Sequence, residues 1–191
     1  YHICEKDYIS SNNYSSIFEK YPFPLDTFQK YAIEAIEEGH NILVAVPTGS
    51  GKSLPGEYAI QKFCEAGERV IYTSPIKALS NQKHKEFSKK FPNISFGIVT
   101  GDTNNNSDAD CLIMTTEILW KTLFQTRMKE NNSINSDKIE LHFNLKVEDI
   151  GAVIFDEFHY INDRFRGHVW KQTVKMLPKD CLLYTSDAAD D

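Results

Sequence analysis

The sequence has no paired cysteines, no long apolar run and no excess of positive charge. Its four cysteines, Cys4, Cys64, Cys111 and Cys181, are scattered without a C-x-x-C pair, which excludes a zinc ribbon and argues against a disulfide scaffold. No stretch approaches the length that spans a bilayer and no signal peptide opens the chain, so we expect a reducing, intracellular compartment and no membrane partner. The formal net charge of −6 argues against a general polyanion binder, so any nucleic-acid contact must be a local patch.

The composition is that of an ordinary globular domain. The chain has 191 residues, of which 41% are hydrophobic and 25% charged, enough for one packed core. Residues 1–24 are polar and irregular, and we interpret them as an N-terminal arm before a domain over 25–180. Residues 181–191 resemble one reading frame of a transposase adapter used in sequencing libraries. We expect them to be an artefact of that kind, the alternative being a genuine acidic tail.

Apolar strands alternate with helical stretches along the chain. The predicted strands are 42–46, 70–73, 94–99, 111–115 and 151–155, and the predicted helices are 26–38, a stretch ending at 65, 75–91 and 116–128. Asp26 is the predicted N-cap of the first helix, Ser74-Pro75 is predicted to open the third, and 130–136 is a predicted surface loop. Continuous apolar strands between helices indicate an α/β fold, doubly wound around a mostly parallel sheet, with the ligand at the carboxyl edge.

A glycine-rich loop directly follows the first predicted strand. Its residues are Pro47, Thr48, Gly49, Ser50, Gly51, Lys52 and Ser53. Strand, glycine loop, Gly-Lys-Ser and helix is the context of a phosphate-binding loop, whose backbone N–H groups and helix N-terminus face phosphate oxygens. We expect Lys52 to reach the β- and γ-phosphates of ATP and Ser53 to hold Mg²⁺. The alternative is a Gly/Ser-rich turn with an exposed lysine, and Val46 departs from the motif, which has glycine there.

Acidic residues follow the last predicted strand at the same edge of the sheet. We expect Asp156 to share Mg²⁺ with Ser53, and Glu157 to orient or deprotonate the water that attacks the γ-phosphate. His159 is placed to link this site to whatever lies across the cleft. Alone, an Asp-Glu pair also fits an ordinary strand end. Together with the upstream loop it predicts a nucleotide-hydrolysing site whose catalytic residues are Lys52, Asp156, Glu157 and His159.

Further blocks resemble the superfamily 2 DExH-box helicases, and among them the superkiller-type RNA helicases that feed RNA to the exosome. The similar blocks are 25–29 (Q-motif region), 73–82 (motif Ia), 100–102 (motif Ib), 114–119 (motif Ic), and 156–163 with 166–170 (extended motif II). The resemblance covers roughly residues 19–178. It implies a RecA-like P-loop domain, the first motor domain of an ATP-dependent RNA helicase that uses ATP and Mg²⁺.

The resemblance also implies roles for the individual blocks. Phe28 and Gln29 are implied to bind the adenine of ATP, since an amide can pair with its edge. The residues implied to line a groove for the backbone of single-stranded RNA are Ser74, Pro75, Lys77, Thr100, Gly101, Asp102, Thr115, Thr116 and Glu117. Their hydroxyls, backbone N–H groups and helix starts suit phosphate contacts that read no sequence. A related DNA helicase is the alternative, and the implied partner is an RNA-degradation complex such as the exosome, in the cytoplasm or the nucleus.

Two parts of the family's pattern are missing from the sequence. A Ser-Ala-Thr motif expected soon after Pro178 is absent, and so is a second motor domain with its arginine fingers. Because this family hydrolyses ATP between two motor domains, we expect the fragment to bind ATP·Mg²⁺ weakly, to hydrolyse it negligibly and to unwind nothing. The alternatives are a half-motor that binds nucleotide and RNA without turnover, and a P-loop kinase for a small molecule, which leaves motifs Ia, Ib and Ic unexplained.

Overall fold

The computed structural model describes residues 7–9, 14–130 and 145–188. The helices are α1 (Ser15–Phe18), α2 (Thr27–Glu37), α3 (Ser53–Glu65), α4 (Lys77–Lys90), α5 (Thr116–Glu130) and α6 (Gly167–Met176). The strands are β1 (Ile42–Val46), β2 (Arg69–Ser74), β3 (Phe96–Val99), β4 (Asn104–Asn105), β5 (Cys111–Thr115), β6 (Ile150–Phe155) and β7 (Leu182–Ala188). None of the described helices is both long and apolar enough to cross a membrane.

Within the described residues the seven strands form one sheet in the order β1-β7-β6-β2-β5-β3-β4. Neighbouring strands pair in parallel throughout, except that β3 and β4 are antiparallel. Helices α2, α3 and α4 contribute Ile36, Ile60 and Phe87 to the core on one face of the sheet, while α5 and α6 contribute Leu119 and Trp170 to a second core cluster. The predicted doubly wound, mostly parallel α/β fold is therefore confirmed.

Helix α2 begins where its capping residues predict. Asp26 has extended backbone, and its N–H donates to Oε1 of Gln29 at 2.9 Å, the return bond of a capping box. The helix ends just before Gly39, whose φ of +72° is the left-handed conformation that follows the end of many helices. The predicted N-cap and the predicted C-terminal glycine of this helix are both confirmed.

The predicted start of the third helix at Pro75 is wrong, since α4 begins two residues later, at Lys77. Ser74 is the last residue of β2 and pairs in register with Thr115 of β5, so the strand ladder holds it in extended backbone. Its hydroxyl donates to the carbonyl of Ile76 at 3.2 Å instead of capping a helix. Strand pairing therefore overrides the local Ser-Pro capping signal.

Smaller differences concern the ends of other elements. Strand β3 begins at Phe96 rather than at 94, and α5 runs on to Glu130. The predicted arm contains one helical turn, α1, and its Tyr8 ring packs edge-on against Tyr31 of α2 with 5.0 Å between ring centroids. The rest of the predicted loop, residues 131–136, lies outside the described residues.

Residues 182–188 form strand β7 in the interior of the sheet, between β1 and β6. Leu182 and Tyr184 are buried, and the Tyr184 hydroxyl donates to the backbone carbonyl of Lys52 at 2.5 Å. No strand is predicted here from the sequence, because the segment is interpreted there as adapter-derived. An apolar, aromatic segment of any origin fits such a position, so the origin of residues 181–191 stays a prediction.

Candidate nucleotide and nucleic-acid site

The glycine-rich loop connects the end of β1 to the start of α3. Gly49 and Gly51 have φ of +87° and +82°, in the left-handed region that L side chains rarely adopt. A Cβ atom on Gly51 would lie 2.7 Å from Nε2 of Gln29, so the amide of Gln29 would have to move to admit a side chain. Both glycines are therefore required by the loop's shape, with its backbone turned towards the carboxyl edge of the sheet.

Lys52 is the informative residue of this loop. Its side chain is buried, and Nζ has no hydrogen-bond partner within the described part of the chain. Its ion-pair partner is Glu157, whose Oε1 lies 3.7 Å from Nζ, beyond hydrogen-bond distance. A buried ammonium group without acceptors is costly, so the site fits a ligand that supplies oxygen acceptors, such as a phosphate.

Asp156 lies one residue beyond the end of β6, and its two oxygens have different partners. Oδ2 accepts a hydrogen bond from the Tyr72 hydroxyl at 2.7 Å, and Oδ1 accepts from the Ser186 hydroxyl and from the Glu157 N–H, both at 3.1 Å. Burial, followed by the charge of Asp156, raises the pKa of Tyr72, so that hydroxyl stays a neutral donor. The carboxylate is thus held in one orientation beside the loop.

Glu157 and His159 continue the site along the chain. Glu157 has a left-handed backbone with φ of 55°, a conformation of appreciable cost for a residue other than glycine. Its carboxylate lies between Lys52 and His159, whose Nδ1 is 3.3 Å from Oε2. The same Nδ1 is 3.0 Å from Oδ1 of Asp187. The structure therefore brings the four predicted catalytic residues into one run of contacts.

The donor set suits a magnesium ion held partly by a nucleotide. Ser53 is exposed at the first position of α3, and Asp156 is half-buried at the neighbouring strand end. In the described ranges no group of three or more His, Cys, Asp or Glu side chains could hold a metal ion. One hydroxyl and one carboxylate fit Mg²⁺, because that ion keeps several waters and takes oxygens from substrate phosphates.

The predicted adenine-binding residues lie next to the loop. Gln29 is buried; its Oε1 accepts from the Asp26 N–H, and its Nε2 donates to the carbonyl of Gly51 at 3.2 Å. These bonds use one lone pair and one N–H of the amide, which leaves one of each for a ligand. Phe28 packs against the core cluster beneath α2. Their adenine-binding role stays a prediction.

The remaining loop residues are at the surface or at its edge. Pro47, Thr48 and Gly49 are exposed, and Ser50 donates its hydroxyl to the Pro47 carbonyl at 2.7 Å. The Ser50 N–H donates to the same carbonyl at 3.3 Å, so both bonds close the loop on itself. The phosphate contacts of these four residues stay predictions.

Motifs Ia, Ib and Ic meet at the carboxyl ends of three neighbouring strands, β2, β3 and β5. Gly101, Asp102 and Lys77 are exposed, and the Lys77 ammonium forms an ion pair with Asp102. The hydrogen bond from Lys77, followed by one from Thr100, lowers the pKa of Asp102. Lys77 is the only basic residue among those predicted to contact RNA, and its charge is therefore neutralised by Asp102, another residue of that set.

The hydroxyls predicted for RNA contact differ in accessibility. Ser74 is buried, with its Oγ 2.7 Å from Oγ of Ser80, and Thr100 is buried beside Asp102. Thr116 is fully buried and its Oγ1 has no hydrogen-bond partner among the described residues, whereas Thr115 is half-buried. Their RNA contacts stay predictions.

Three residues of the site were not predicted as such from the sequence. Arg166 donates from Nε and Nη2 to Oε1 of Glu117, at 2.7 and 2.5 Å, and Nη2 also donates to the carbonyl of Pro75. Tyr72 and Ser186 hold Asp156. The sequence signal that could have indicated Tyr72 is its place in a predicted strand just before motif Ia, because side chains at the ends of adjacent strands converge.

Comparison with known proteins agrees with this geometry. Residues 26–187 match the family model described as DEAD/DEAH box helicase. The chain is 45% identical over 159 residues to the antiviral helicase SKI2 of Saccharomyces cerevisiae, covering 83% of this chain and 11% of that protein. It is 39% identical over 176 residues to the exosome RNA helicase MTR4 of Homo sapiens, covering 92% of this chain and 15% of that protein. The chain thus spans a small part of these relatives' length.

Solved structures share the fold at low sequence identity. The DUF1998 helicase MrfA bound to DNA and AMPPNP has a TM-score of 0.66 at 18% identity, over 96% of this chain and 27% of that one. The Hef helicase domain of Pyrococcus furiosus has a TM-score of 0.60 at 19% identity, over 85% of this chain and 32% of that one. The predicted resemblance to superkiller-type helicases is confirmed, and the chain belongs to the DEAD/DEAH box helicase family.

Proposed function

We propose that these residues form the first motor domain of an ATP-dependent RNA helicase, which couples ATP binding and hydrolysis to movement along RNA and to unwinding. The observation that carries the proposal is the buried ammonium of Lys52, which donates no hydrogen bond within the described residues. It faces the carboxylate of Glu157 at the mouth of a loop with two left-handed glycines. An anion that neutralises this lysine fits the site better than water does.

In this proposal each side chain has a distinct task. Lys52 binds the β- and γ-phosphates, and Ser53 and Asp156 hold the Mg²⁺, which neutralises charge on the transferred phosphoryl group. Glu157 orients or deprotonates the attacking water, and its contact with His159 links the site to the cleft. Gln29 binds the edge of the adenine, and its hydrogen bond to the Gly51 carbonyl holds the amide beside the loop.

The proposed nucleic-acid surface is the carboxyl edge formed by motifs Ia, Ib and Ic. SKI2 is described as an antiviral helicase and MTR4 as an exosome RNA helicase, which supports RNA as the substrate and an RNA-degradation complex as the partner. Such a protein works in the cytoplasm or the nucleus. MrfA, a more distant structural neighbour, is bound to DNA, so a DNA helicase is the second candidate. Competition between matched RNA and DNA strands for one labelled probe distinguishes the two.

The isolated 191-residue chain is expected to bind ATP·Mg²⁺ weakly and to hydrolyse it negligibly. In this family the second motor domain supplies the arginine fingers, and such a finger contributes roughly a thousandfold or more to the rate. The check is a phosphate-release assay on the purified chain with ATP, Mg²⁺ and single-stranded RNA. Multiple turnover that RNA accelerates would show the expectation to be wrong.

The alternatives make different predictions for the same chain. A half-motor without turnover and a helicase fragment both bind nucleotide more tightly when single-stranded RNA is added, whereas a P-loop kinase for a small molecule does not. Sequencing the gene across codon 180 separates the first two. A following Ser-Ala-Thr motif and second motor domain support the helicase, and a true end near residue 191 supports the half-motor.

Replacing Tyr72 with phenylalanine is expected to raise the Mg²⁺ concentration needed for half-maximal ATP binding severalfold. The substitution removes the donor to Oδ2 of Asp156 but keeps the ring packed against Phe87, so the fold is preserved. A Mg²⁺ titration with a fluorescent ATP analogue measures the effect. Tyr58→Phe is the matched control, since it removes a similar bond, to Glu37 at 2.6 Å, away from the site. Equal Mg²⁺ requirements in both variants would count against a positioning role for Tyr72.

A further inference from the structure

Arg166 connects two separate blocks of the proposed nucleic-acid surface. Its Nε and Nη2 both donate to Oε1 of Glu117 in the first turn of α5, at 2.7 and 2.5 Å. Nη2 also donates to the backbone carbonyl of Pro75, which lies in the turn between β2 and α4. The turn of motif Ia and the helix start of motif Ic are therefore tied to each other through one guanidinium group.

The backbone around Arg166 is fixed by short local contacts. Oδ1 of Asp163 accepts from the N–H groups of Phe165 and Arg166, at 2.8 and 2.7 Å. A Cβ atom on Gly167 would lie 2.3 Å from the carbonyl oxygen of Ile161, so the chain turns back tightly at this point. The guanidinium also lies over the Tyr160 ring, 5.5 Å from its centroid. The tight backbone turn therefore sets the direction in which the Arg166 side chain leaves the chain, towards Glu117.

The charge of Glu117 makes this contact consequential for a polyanion. The carboxylate is 37% exposed and lies at the start of α5, beside the strand ends where a nucleic-acid backbone is proposed to run. An unpaired carboxylate there would repel phosphates, while the paired one presents nearly no net charge. Lys77 forms an ion pair with Asp102 in the same way, so basic residues of this chain neutralise the charge of both acidic residues predicted for this surface.

We propose that Arg166 is a positioning residue for nucleic-acid binding, which holds the Pro75 turn against α5 and masks the charge of Glu117. It acts through these two groups and touches neither the nucleotide site nor the phosphates of the strand. This inference rests on the proposed function, because it requires that motifs Ia and Ic contact single-stranded RNA.

The test is the affinity of the full chain for a fluorescein-labelled oligouridylate, measured by anisotropy over a range of salt concentrations. Arg166→Gln is expected to weaken binding about tenfold, because it both breaks the bridge and exposes the carboxylate. Arg166→Lys keeps the charge but lacks the planar fork, so it is expected to recover only part of the loss. Arg164→Gln, at an exposed neighbouring position whose guanidinium lies over the Phe165 ring, is the matched control and is expected to bind like the wild type.

The double variant Arg166→Gln with Glu117→Gln separates positioning from direct contact. Because the double variant removes one charge of each sign, positioning predicts a salt dependence like that of the wild type and an affinity above that of Arg166→Gln alone. A residue that touches a phosphate would instead lower the slope of log affinity against log salt by about 0.7. ATP·Mg²⁺ affinity and the thermal unfolding midpoint verify that every variant is folded.

The outcomes for the two proposals are distinct. Failure of the wild-type chain to bind the oligouridylate, with ATP binding intact, overturns the proposed RNA function. Wild-type binding with no difference between Arg166→Gln and Arg164→Gln overturns the positioning role alone. A slope reduced by about 0.7 in the double variant also overturns it, because Arg166 would then be a phosphate ligand.

Discussion

Replacing Lys52 with alanine is expected to reduce the affinity of the chain for ATP·Mg²⁺ by about 100-fold or more, which abolishes measurable binding. The buried ammonium has no hydrogen-bond partner among the described residues, so all of its donor capacity is free for phosphate oxygens. Hydrogen bonds from a charged group contribute about 1.5–3 kcal/mol each, and about 2.7 kcal/mol corresponds to a factor of 100. Equilibrium binding of a fluorescent ATP analogue in the presence of Mg²⁺ measures the loss.

The same substitution should leave the fold intact or make it slightly more stable. The buried ammonium carries a desolvation cost that is relieved by the substitution, while the loss is small because Lys52 donates no hydrogen bond among the described residues and its ion pair with the half-buried Glu157 is 3.7 Å long. The thermal unfolding midpoint without nucleotide is therefore expected to stay level or rise. Lys171→Ala, on the exposed side of α6, is the control for losing one positive charge. If Lys52→Ala binds ATP·Mg²⁺ as the wild type does, the assignment of this loop to phosphates is wrong.

The sequence predicts the conformation of the glycine-rich loop well because its signals are local. Glycines with positive φ, a Gly-Lys-Ser sequence and a flanking strand and helix all lie within one short segment, and the structure agrees with each of them. The N-cap of α2 is predicted equally well, since Asp26 and Gln29 satisfy each other three residues apart. Predictions of this kind do not depend on how distant parts of the chain meet.

The contacts that position the site residues are non-local, and the sequence does not reveal them. Tyr72 and Asp156 are 84 residues apart, and Arg166 and Pro75 are 91 residues apart. Only the order of strands in the sheet brings them together, because β2 lies between β6 and β5. The helix start predicted at Pro75 is wrong for the same reason, because a non-local contact, the pairing of Ser74 with Thr115, overrides a local capping signal.

The accessibility of a predicted contact residue depends on packing in the same way. Ser74 and Thr116 look alike in sequence as hydroxyl donors at strand ends, yet both are fully buried. The carboxylate of Glu117 is half-exposed but engaged by Arg166. A motif identifies which residues gather at a ligand surface, whereas the fold decides which of their atoms face the ligand and which hold the surface in shape.

Truncating the chain after Asp180 is expected to abolish cooperative folding. Strand β7 then disappears, and among the described strands β1 pairs only with β7, in a five-residue register from Ile42 to Val46. Burying a large apolar side chain such as Leu182 contributes about 1.5–3 kcal/mol, and Tyr184 adds both its ring and its bond to the Lys52 carbonyl. Together with the lost ladder on both sides, this approaches the total stability of about 5–15 kcal/mol of a domain.

The measurement is thermal and urea unfolding followed by circular dichroism. Removal of residues 189–191 alone is the control and is expected to leave the midpoint unchanged. Replacing 182–188 with another apolar strand-forming segment is expected to restore a cooperative transition, because the sheet requires a strand at this position and not these particular residues. If the adapter origin of residues 181–191 is correct, the natural protein supplies such a strand from different codons, and that version should fold at least as stably. A cooperative transition with an unchanged midpoint after truncation at Asp180 would mean that β1 and the phosphate loop do not depend on β7.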